Sequence, residues 1–384
     1  MRILILHSKY LSGPVSGENR VVDDQARLLE EAGHEVVVWT PSAEQVSMVQ
    51  AGVDTIWSRG AAGEVQRLVR DTRPDVVHIH NLFPMLSPSV LRATDGVPIV
   101  MTLHNFRYMC PSGTLYRDGH ICEDCVGHVP WPGVVHGCYR GSKAASAAIA
   151  TSLTLHRTMR SYHRVATFIA LSEFMRGRHE RAGLPAERMV VQTNFSWPTE
   201  QRSGPGEYFL YLGRLSPEKG LSPFVRAWGR VSSPLVIVGE GPELEHLRLE
   251  ASGRVEFRGS VPADEVPALL RGARALVVPS TWYEGAPRSI IEAYAAGVPV
   301  LASNLGALPE IVVDAETGFL LPPGDVDAWI ESAERMSEDR VSGRMGAAAH
   351  RRWSEVHDPA RGLSSLESVY REAIRGRRGA RHPR

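Results

Sequence analysis

The sequence predicts an α/β protein built from two doubly wound, parallel-sheet domains facing each other across a cleft. Three observations carry that expectation. Short apolar runs alternate with amphipathic stretches, the pattern of parallel strands joined by crossover helices. There are two such series, with a polar stretch rich in proline and glycine, SWPTEQRSGPGE, lying between them as an interdomain linker. At 384 residues the chain also exceeds the usual size of one hydrophobic core.

The first series reads RILILHS, EVVVWT, DVVHIH, PIVMTLH, TFIALS and MVVQTN. The second reads YFLYLGR, LVIVGE, VEFRG, ALVVPS and PVLAS. In open sheets of this kind, ligands sit at the carboxyl ends of the strands, so the loops after these runs are where chemistry is expected. Residues from about Ser354 to Ile374 read as a final helix, and GRRGARHPR after them as a disordered basic tail. Basic and acidic residues balance at 43 each, which leaves no nucleic-acid footprint. The apolar start MRILILHSKY is too short for a secretory signal, and no run reaches the roughly 18 residues a membrane span needs, so a cytoplasmic protein is expected.

Four places carry residue types that point to chemistry. In EGAPRSIIE, Glu284 and Glu292 bracket the start of a helix expected to begin near Pro287, a residue suited to the first helical position. The next amides, of Arg288 and Ser289, face out of a helix end whose dipole favours an anion. An acid before such a site and another within it suit a ligand carrying both phosphate and hydroxyls. Arg214 and Lys219, in GRLSPEKG, follow the first strand of the second series and offer two cations to a diphosphate leaving group, whose negative charge grows as its bond breaks. Lysine occurs elsewhere only at Lys9 and Lys143. All four cysteines, Cys110, Cys122, Cys125 and Cys138, fall within 29 residues. The central C-x2-C is the knuckle of a structural zinc site, and four thiolates complete a closed tetrahedron. Disulfides, an iron-sulfur cluster and reduced thiols are the alternatives. Finally, HRTMRSYHR and FMRGRHERAG form a basic stretch interleaved with aromatics, either a solvated helical face or a peripheral contact with the anionic inner face of a membrane.

The run VVPSTWYEGAPRSIIEAYAAGVPVLAS resembles the donor-site signature of retaining glycosyltransferases with the GT-B fold, family 4 or group 1. Further matches follow in the right order, covering essentially the whole chain and most specifically Tyr208 to Gly324. The resemblance implies two Rossmann-like domains: an acceptor-binding one at 1–197 with a cysteine-rich insertion at about 105–142, and a nucleotide-sugar-binding one at 198–353. It further implies a helix at 354–374 packing back on the first domain, with the disordered tail at 375–384. Arg214 and Lys219 would contact the diphosphate, Glu292 the ribose hydroxyls, and Glu284 the transferred sugar near its reacting carbon. VGEGPE, with Gly241, and FRGSVP, with Val261, match loops that hold the nucleobase through backbone groups. LSGPVSGENR matches the glycine-rich loop of the acceptor domain, with Gly17 alone where relatives often have two glycines. His104, in T-x-H context, matches a histidine that reaches the donor sugar, which it would orient rather than deprotonate.

Many relatives read E-G-F-G where this chain reads Glu284, Gly285, Ala286, Pro287. Proline has no amide hydrogen, so a phosphate contact would move to Arg288 or Ser289. Cysteine-bearing insertions occur in one branch of the family and would shape the acceptor pocket. The reading is then transfer of a hexose-type sugar from a UDP- or GDP-sugar to a hydroxyl acceptor, whether a glycan, a lipid-linked sugar or a small molecule. No catalytic divalent ion is expected, since the site lacks a D-x-D motif. A non-catalytic sugar- or nucleotide-binding protein on the same scaffold is the alternative. A sugar phosphorylase using pyridoxal phosphate is disfavoured by the scarcity of lysine.

Overall fold

The computed structural model describes residues 1–9, 17–41 and 48–380. It divides into two compact units, the first holding Met1–Leu115, Cys122–Gln192 and the chain from Leu363 onward, the second Tyr116–Ile121 and Thr193–Gly362.

In chain order the first unit contributes β1 (Arg2–His7), β2 (Glu35–Trp39), β3 (Val76–Asn81) and β4 (Ile99–Leu103). A short antiparallel hairpin of β5 (Tyr116–Arg117) and β6 (His120–Ile121) follows, grouping with the second unit, and then β7 (Val165–Ala170) and β8 (Met189–Val191). The sheet order is β2-β1-β3-β4-β7-β8, parallel throughout. β3 and β4 are buried along their whole length, so neither alternates between a buried and an exposed face. Alternate residues of β1 feed the two faces. Leu4 and Leu6 pack with Val77, Ile79 and Leu103, while Ile3 and Ile5 pack with Val22, Ala26 and Leu29 of the helix Gly17–Glu31. Leu366, Val369, Tyr370 and Ala373, at helical spacing on the last helix, close that second face.

The second unit contributes β9 (Tyr208–Leu212), β10 (Leu235–Val238), β11 (Val255–Gly259), β12 (Ala273–Val278), β13 (Val300–Ser303) and β14 (Gly318–Leu321). They are again parallel, in the order β11-β10-β9-β12-β13-β14. Numbered within the unit, this is 3-2-1-4-5-6, the doubly wound order in which the sequence of strands reverses beside the first strand. Phe209, Tyr211, Ile237, Val277 and Leu301 pack around Trp228 and Trp329, both fully buried.

Four sequence expectations need correction. β14 was not foreseen, because GFLL is four residues long and is flanked by turn-forming neighbours. The stretch SWPTEQRSGPGE does not span the boundary as a loose linker. Its Ser196 donates to the Ile291 carbonyl at 3.3 Å, and the Arg202 guanidinium donates to the carbonyls of Pro205, Ala273 and Arg274 at 2.9, 3.3 and 3.0 Å. Burial, with the Arg274 charge adding, brings that guanidinium down to about 10. The chain passes between units at Gln192 and Thr193 instead. The final helix runs Pro359–Ala380, so residues 375–380 of the expected tail are helical, while 381–384 lie outside the described residues. Pro287 precedes its helix as the N-cap, with an extended ψ of 121°, and the helix itself is Arg288–Ala295. No helix among the described residues is long and apolar enough to cross a membrane.

Candidate functional site

In the second unit the loops after β9 and β12, the two strands at the reversal point, carry most of the expected residues. Gly220, at φ 69°, lets the β9 loop lie against the β12 loop: a Cβ there would fall 2.3 Å from the Pro279 carbonyl oxygen. Thr281 N–H donates to the Glu218 carbonyl at 2.9 Å and pins the two loops together. Lys219 Nζ then reaches Glu284 Oε1 at 2.7 Å. The same oxygen accepts from Ser280 Oγ at 2.6 Å and Trp282 Nε1 at 2.8 Å, and the ammonium sits 4.8 Å from the Trp282 ring centroid. Glu284 is 7% exposed. Burial pushes its carboxyl up, but the Lys219 charge and the three hydrogen bonds outweigh it and hold the group below the ordinary glutamate range.

The other two cations are paired as well. Arg214 bonds Glu218 at 2.8 Å while 63% of its side chain stays exposed, and Arg288 bonds Glu292 at 3.0 Å one helical turn away. Burial raises Glu218, and hydrogen bonds from Ser216 and Arg214 bring it below its usual value. The structure thus joins Lys219 with Glu284 and Arg288 with Glu292, and an arriving anion has to share these cations with carboxylates. The first backbone bond of the helix Arg288–Ala295 comes from Ile290 to the Pro287 carbonyl, so the amides of Arg288 and Ser289 precede the ladder. Gly241 lies against the Arg214 loop, where a Cβ would be 2.1 Å from the Leu215 carbonyl oxygen; its glycine is therefore required by backbone packing. Val261 is half-buried just past β11. Tyr116, from the hairpin, places its hydroxyl 3.2 Å from Thr281 Oγ1 on the β12 loop. Glu218, Ser280, Trp282 and Tyr116 were not singled out from the sequence. Their signal was position alone, within two or four residues of a charged site residue or inside the cysteine segment.

In the first unit, His104 is half-buried just after β4. Its Nε2 lies 2.8 Å from His80 Nδ1, and it belongs to a group with His7, His78 and His80 at the carboxyl ends of β1 and β3. Burial, aided by repulsion from His7 and His78, takes His104 down to about 3, so its ring is neutral at any working pH. A cavity of about 30 Å³ is lined by His80, Asn81, His104, Asn105, Arg107 and Tyr162 among others. Gly17 opens the helix Gly17–Glu31, and nothing described lies within 4 Å of where its Cβ would be. The preceding residues of LSGPVSGENR, 11–16, lie outside the described residues. Next to Gly17, burial raises the Glu18 carboxyl to about 8 against the Arg107 charge and a 3.4 Å bond from Asn105. Sequence reasoning missed His78, His80 and Glu18, although the paired spacings H-x-H and T-x-H on neighbouring strands contain the first two.

Cys110 and Cys125 are buried, Cys122 and Cys138 half-buried, and none of the four is in a disulfide. Burial takes the Cys125 thiol up to about 11; Gly133 donates to it and works against this, and Cys110, Cys122 and Cys138 all add repulsion. The other three thiols are therefore near enough to Cys125 to act on its charge. Among the described residues, however, no group of three or more His, Cys, Asp or Glu side chains is already arranged to hold a metal ion. In the basic stretch downstream, Arg178 and Arg181 bond Glu123 at 2.8 and 2.7 Å, and Arg188 donates to the His163 carbonyl at 2.9 Å. Those charges serve the fold of the unit first.

Comparison with known proteins agrees with this geometry. Residues 15–195 match the family model described as Glycosyltransferase Family 4, and residues 206–339 the one described as Glycosyl transferases group 1. A glycogen synthase of Mycobacterium tuberculosis is 27% identical over 98% of this chain and 96% of its own length. A 2-deoxystreptamine glucosyltransferase of Streptomyces kanamyceticus is 26% identical over 85% and 84% respectively. Among solved structures, HepE from Anabaena in complex with UDP and glucose superposes with a TM-score of 0.67 at 19% identity, covering 96% of this chain and 99% of that one. Sucrose-phosphate synthase from Thermosynechococcus elongatus gives 0.73 at 16% identity, over 98% and 100%. At such identities these two show the shared fold.

Proposed function

Since the chain is a glycosyltransferase of the GT-B fold, with a family 4 domain followed by a group 1 domain, we propose that it transfers a hexose-type sugar from a UDP- or GDP-sugar to a hydroxyl acceptor with retention at the anomeric carbon. The observation that carries this is the Lys219–Glu284 pair, held by Ser280 and Trp282 at the strand-reversal point of the second unit. On this reading Lys219 and Arg214 meet the diphosphate, whose charge grows on the leaving oxygen, and they stabilise the transition state more than the bound donor. The amides of Arg288 and Ser289 add the positive end of a helix dipole. Glu292 accepts from the ribose hydroxyls. Glu284, kept ionised by its partners, contacts the transferred sugar and favours positive charge at its reacting carbon. Gly241 and Val261 border the nucleobase, and Gly17 and His104 of the first unit are assigned to donor recognition as well. These charges neutralise the diphosphate in place of a catalytic metal. The HepE neighbour, solved in complex with UDP and glucose, supports a nucleotide-sugar donor.

We further propose that Cys110, Cys122, Cys125 and Cys138 close on a structural zinc when the metal is present, which replaces a core that the segment around Cys110–Cys138 is too small to possess. The segment would then shape the acceptor pocket of this branch. The transfer reading is tested by incubating the protein with a panel of nucleotide sugars and following product by proton NMR. An axial donor giving an axial product supports retention, and inversion, or no turnover with any donor, sinks it.

A further inference from the structure

Two rungs of polar side chains cross from β3 to β4. His78 and His80 lie two residues apart on one strand and so share a face, and Thr102 with His104, the residue just past the end of the neighbouring strand, are spaced alike. In the inner rung, His78 Nε2 meets Thr102 Oγ1 at 2.8 Å, and its Nδ1 meets the Tyr370 hydroxyl of the last helix at 2.7 Å. In the outer rung, His80 Nδ1 meets His104 Nε2 at 2.8 Å, with the rings 24° from parallel. The His80 ring centroid is only 4.2 Å from that of His78, so the rungs are packed against each other.

A hydrogen bond between two imidazole nitrogens needs one proton: one nitrogen donates and the other offers a lone pair. Burial keeps both rings neutral, which leaves two arrangements. Either His80 Nδ1–H donates, so that His104 carries its own proton on Nδ1 and His80 Nε2 is a bare lone pair, or every one of these roles is reversed. The outer nitrogens of the two rings therefore always have opposite character. What meets His80 Nε2 decides what His104 shows to a substrate.

His80 is 3% exposed, and its Nε2 is buried without a partner among the described residues. The residue lines the cavity of about 30 Å³, together with Arg107 and with Tyr162, whose buried hydroxyl also lacks a described partner. One water needs roughly 10 to 15 Å³ and two or more polar contacts, so this space suits an ordered water. Arg107 only donates, and its charge at the cavity wall favours a lone pair pointing inward.

We propose that His80 is a positioning residue that fixes the tautomer of His104 through a water held in this cavity. The water donates to His80 Nε2, His80 Nδ1–H donates to His104 Nε2, and His104 presents Nδ1–H as a donor to an oxygen of the substrate. His104 is then built to hold a sugar oxygen and not to remove a proton. That the oxygen belongs to a sugar rests on the glycosyltransferase reading; the tautomer does not.

The test is long-range ¹H–¹⁵N correlation NMR on protein labelled at histidine, with His104 assigned by its loss in His104→Gln. In the parent, His104 is expected as the Nδ1–H tautomer. His80→Ala is expected to release it towards Nε2–H and to lower kcat by roughly tenfold, the loss of about one hydrogen bond's alignment, with donor KM little changed. His80→Asn puts an amide N–H where Nδ1–H was, and is expected to keep the tautomer and bring kcat back to within about threefold of the parent. An Nε2–H form of His104 in the parent, or a tautomer unmoved in a folded His80→Ala, overturns the proposal. If no variant and no parent preparation transfers sugar, the function reading fails while the tautomer still decides this one.

Discussion

Replacing Lys219 with methionine keeps the length of the stem and removes the charge that Glu284 depends on. At 2.7 Å the attraction is about 6 kcal/mol for an effective dielectric of about 20. Desolvation of two ions, 20% and 8% exposed, offsets part of this, and breaking such a pair typically costs about 3 kcal/mol. The loss should depend on pH. In the parent the depressed Glu284 carboxyl contributes stability that is present above its unfolded pKa and lost as pH falls through the lower folded value. In Lys219→Met, burial is opposed only by Ser280 and Trp282, so the carboxyl rises above the ordinary range and destabilises the fold wherever the unfolded group is ionised. The stability difference between the two proteins is therefore expected to be about 3 kcal/mol near pH 8 and to shrink as the buffer approaches pH 4, read by urea unfolding at a series of pH values. Adding Glu284→Gln to the variant should recover most of the loss, since no unpaired charge is then buried. A difference below about 1 kcal/mol, or one that does not change with pH, would refute this picture of a buried, mutually dependent pair.

Other consequences are as direct. Arg214→Ala removes an exposed guanidinium from a Glu218 carboxylate that is only 12% exposed, and should cost about 1 kcal/mol of stability while weakening UDP binding by roughly tenfold; calorimetry and unfolding together check both. Glu292→Gln should raise donor KM, and should do so less for a 2′,3′-dideoxy donor, because the lost acceptor serves the ribose hydroxyls. Glu18→Gln should stabilise the protein by an amount that grows from about pH 4.5 and levels off near pH 8, because a raised carboxyl costs stability above its unfolded value. Protein purified without chelator should carry about one zinc per chain by elemental analysis, and changing all four cysteines to serine should abolish it. Full activity and stability in that variant with no metal in the parent would remove the zinc proposal.

The sheets were legible because both are parallel and their central strands are buried, so ILIL and ALVV stand out as apolar runs against polar loops. Four-residue β14 and the two-residue strands of the Tyr116–Ile121 hairpin fall below what periodicity can resolve. The charged residues of the second unit were legible one by one, since each sits in a loop after a strand or in the first turns of the helix that follows it. Their pairing was not. Lys219 and Glu284 are 65 residues apart, and only the close approach at Gly220 brings their loops together. Likewise DVVHIH reads as a strand and hides its histidines. Only the β3–β4 pairing, Ile79 beside Met101, brings His80 within a diagonal step of His104. The linker was misjudged because proline and glycine report turns, while the burial of Arg202 depends on carbonyls some seventy residues away.

The central claim is a nucleotide-sugar site at the carboxyl ends of β9 and β12 that works without a divalent metal. Calorimetric titration of UDP, GDP and ADP into the parent and into Arg214→Ala and Glu292→Gln, each with and without EDTA, tests it most directly. The expected result is that one nucleotide binds the parent equally well in EDTA, and that both substitutions weaken it. Binding of none of the three, or binding that disappears with the chelator, would contradict the claim and move a non-catalytic scaffold or a metal-dependent site ahead of it.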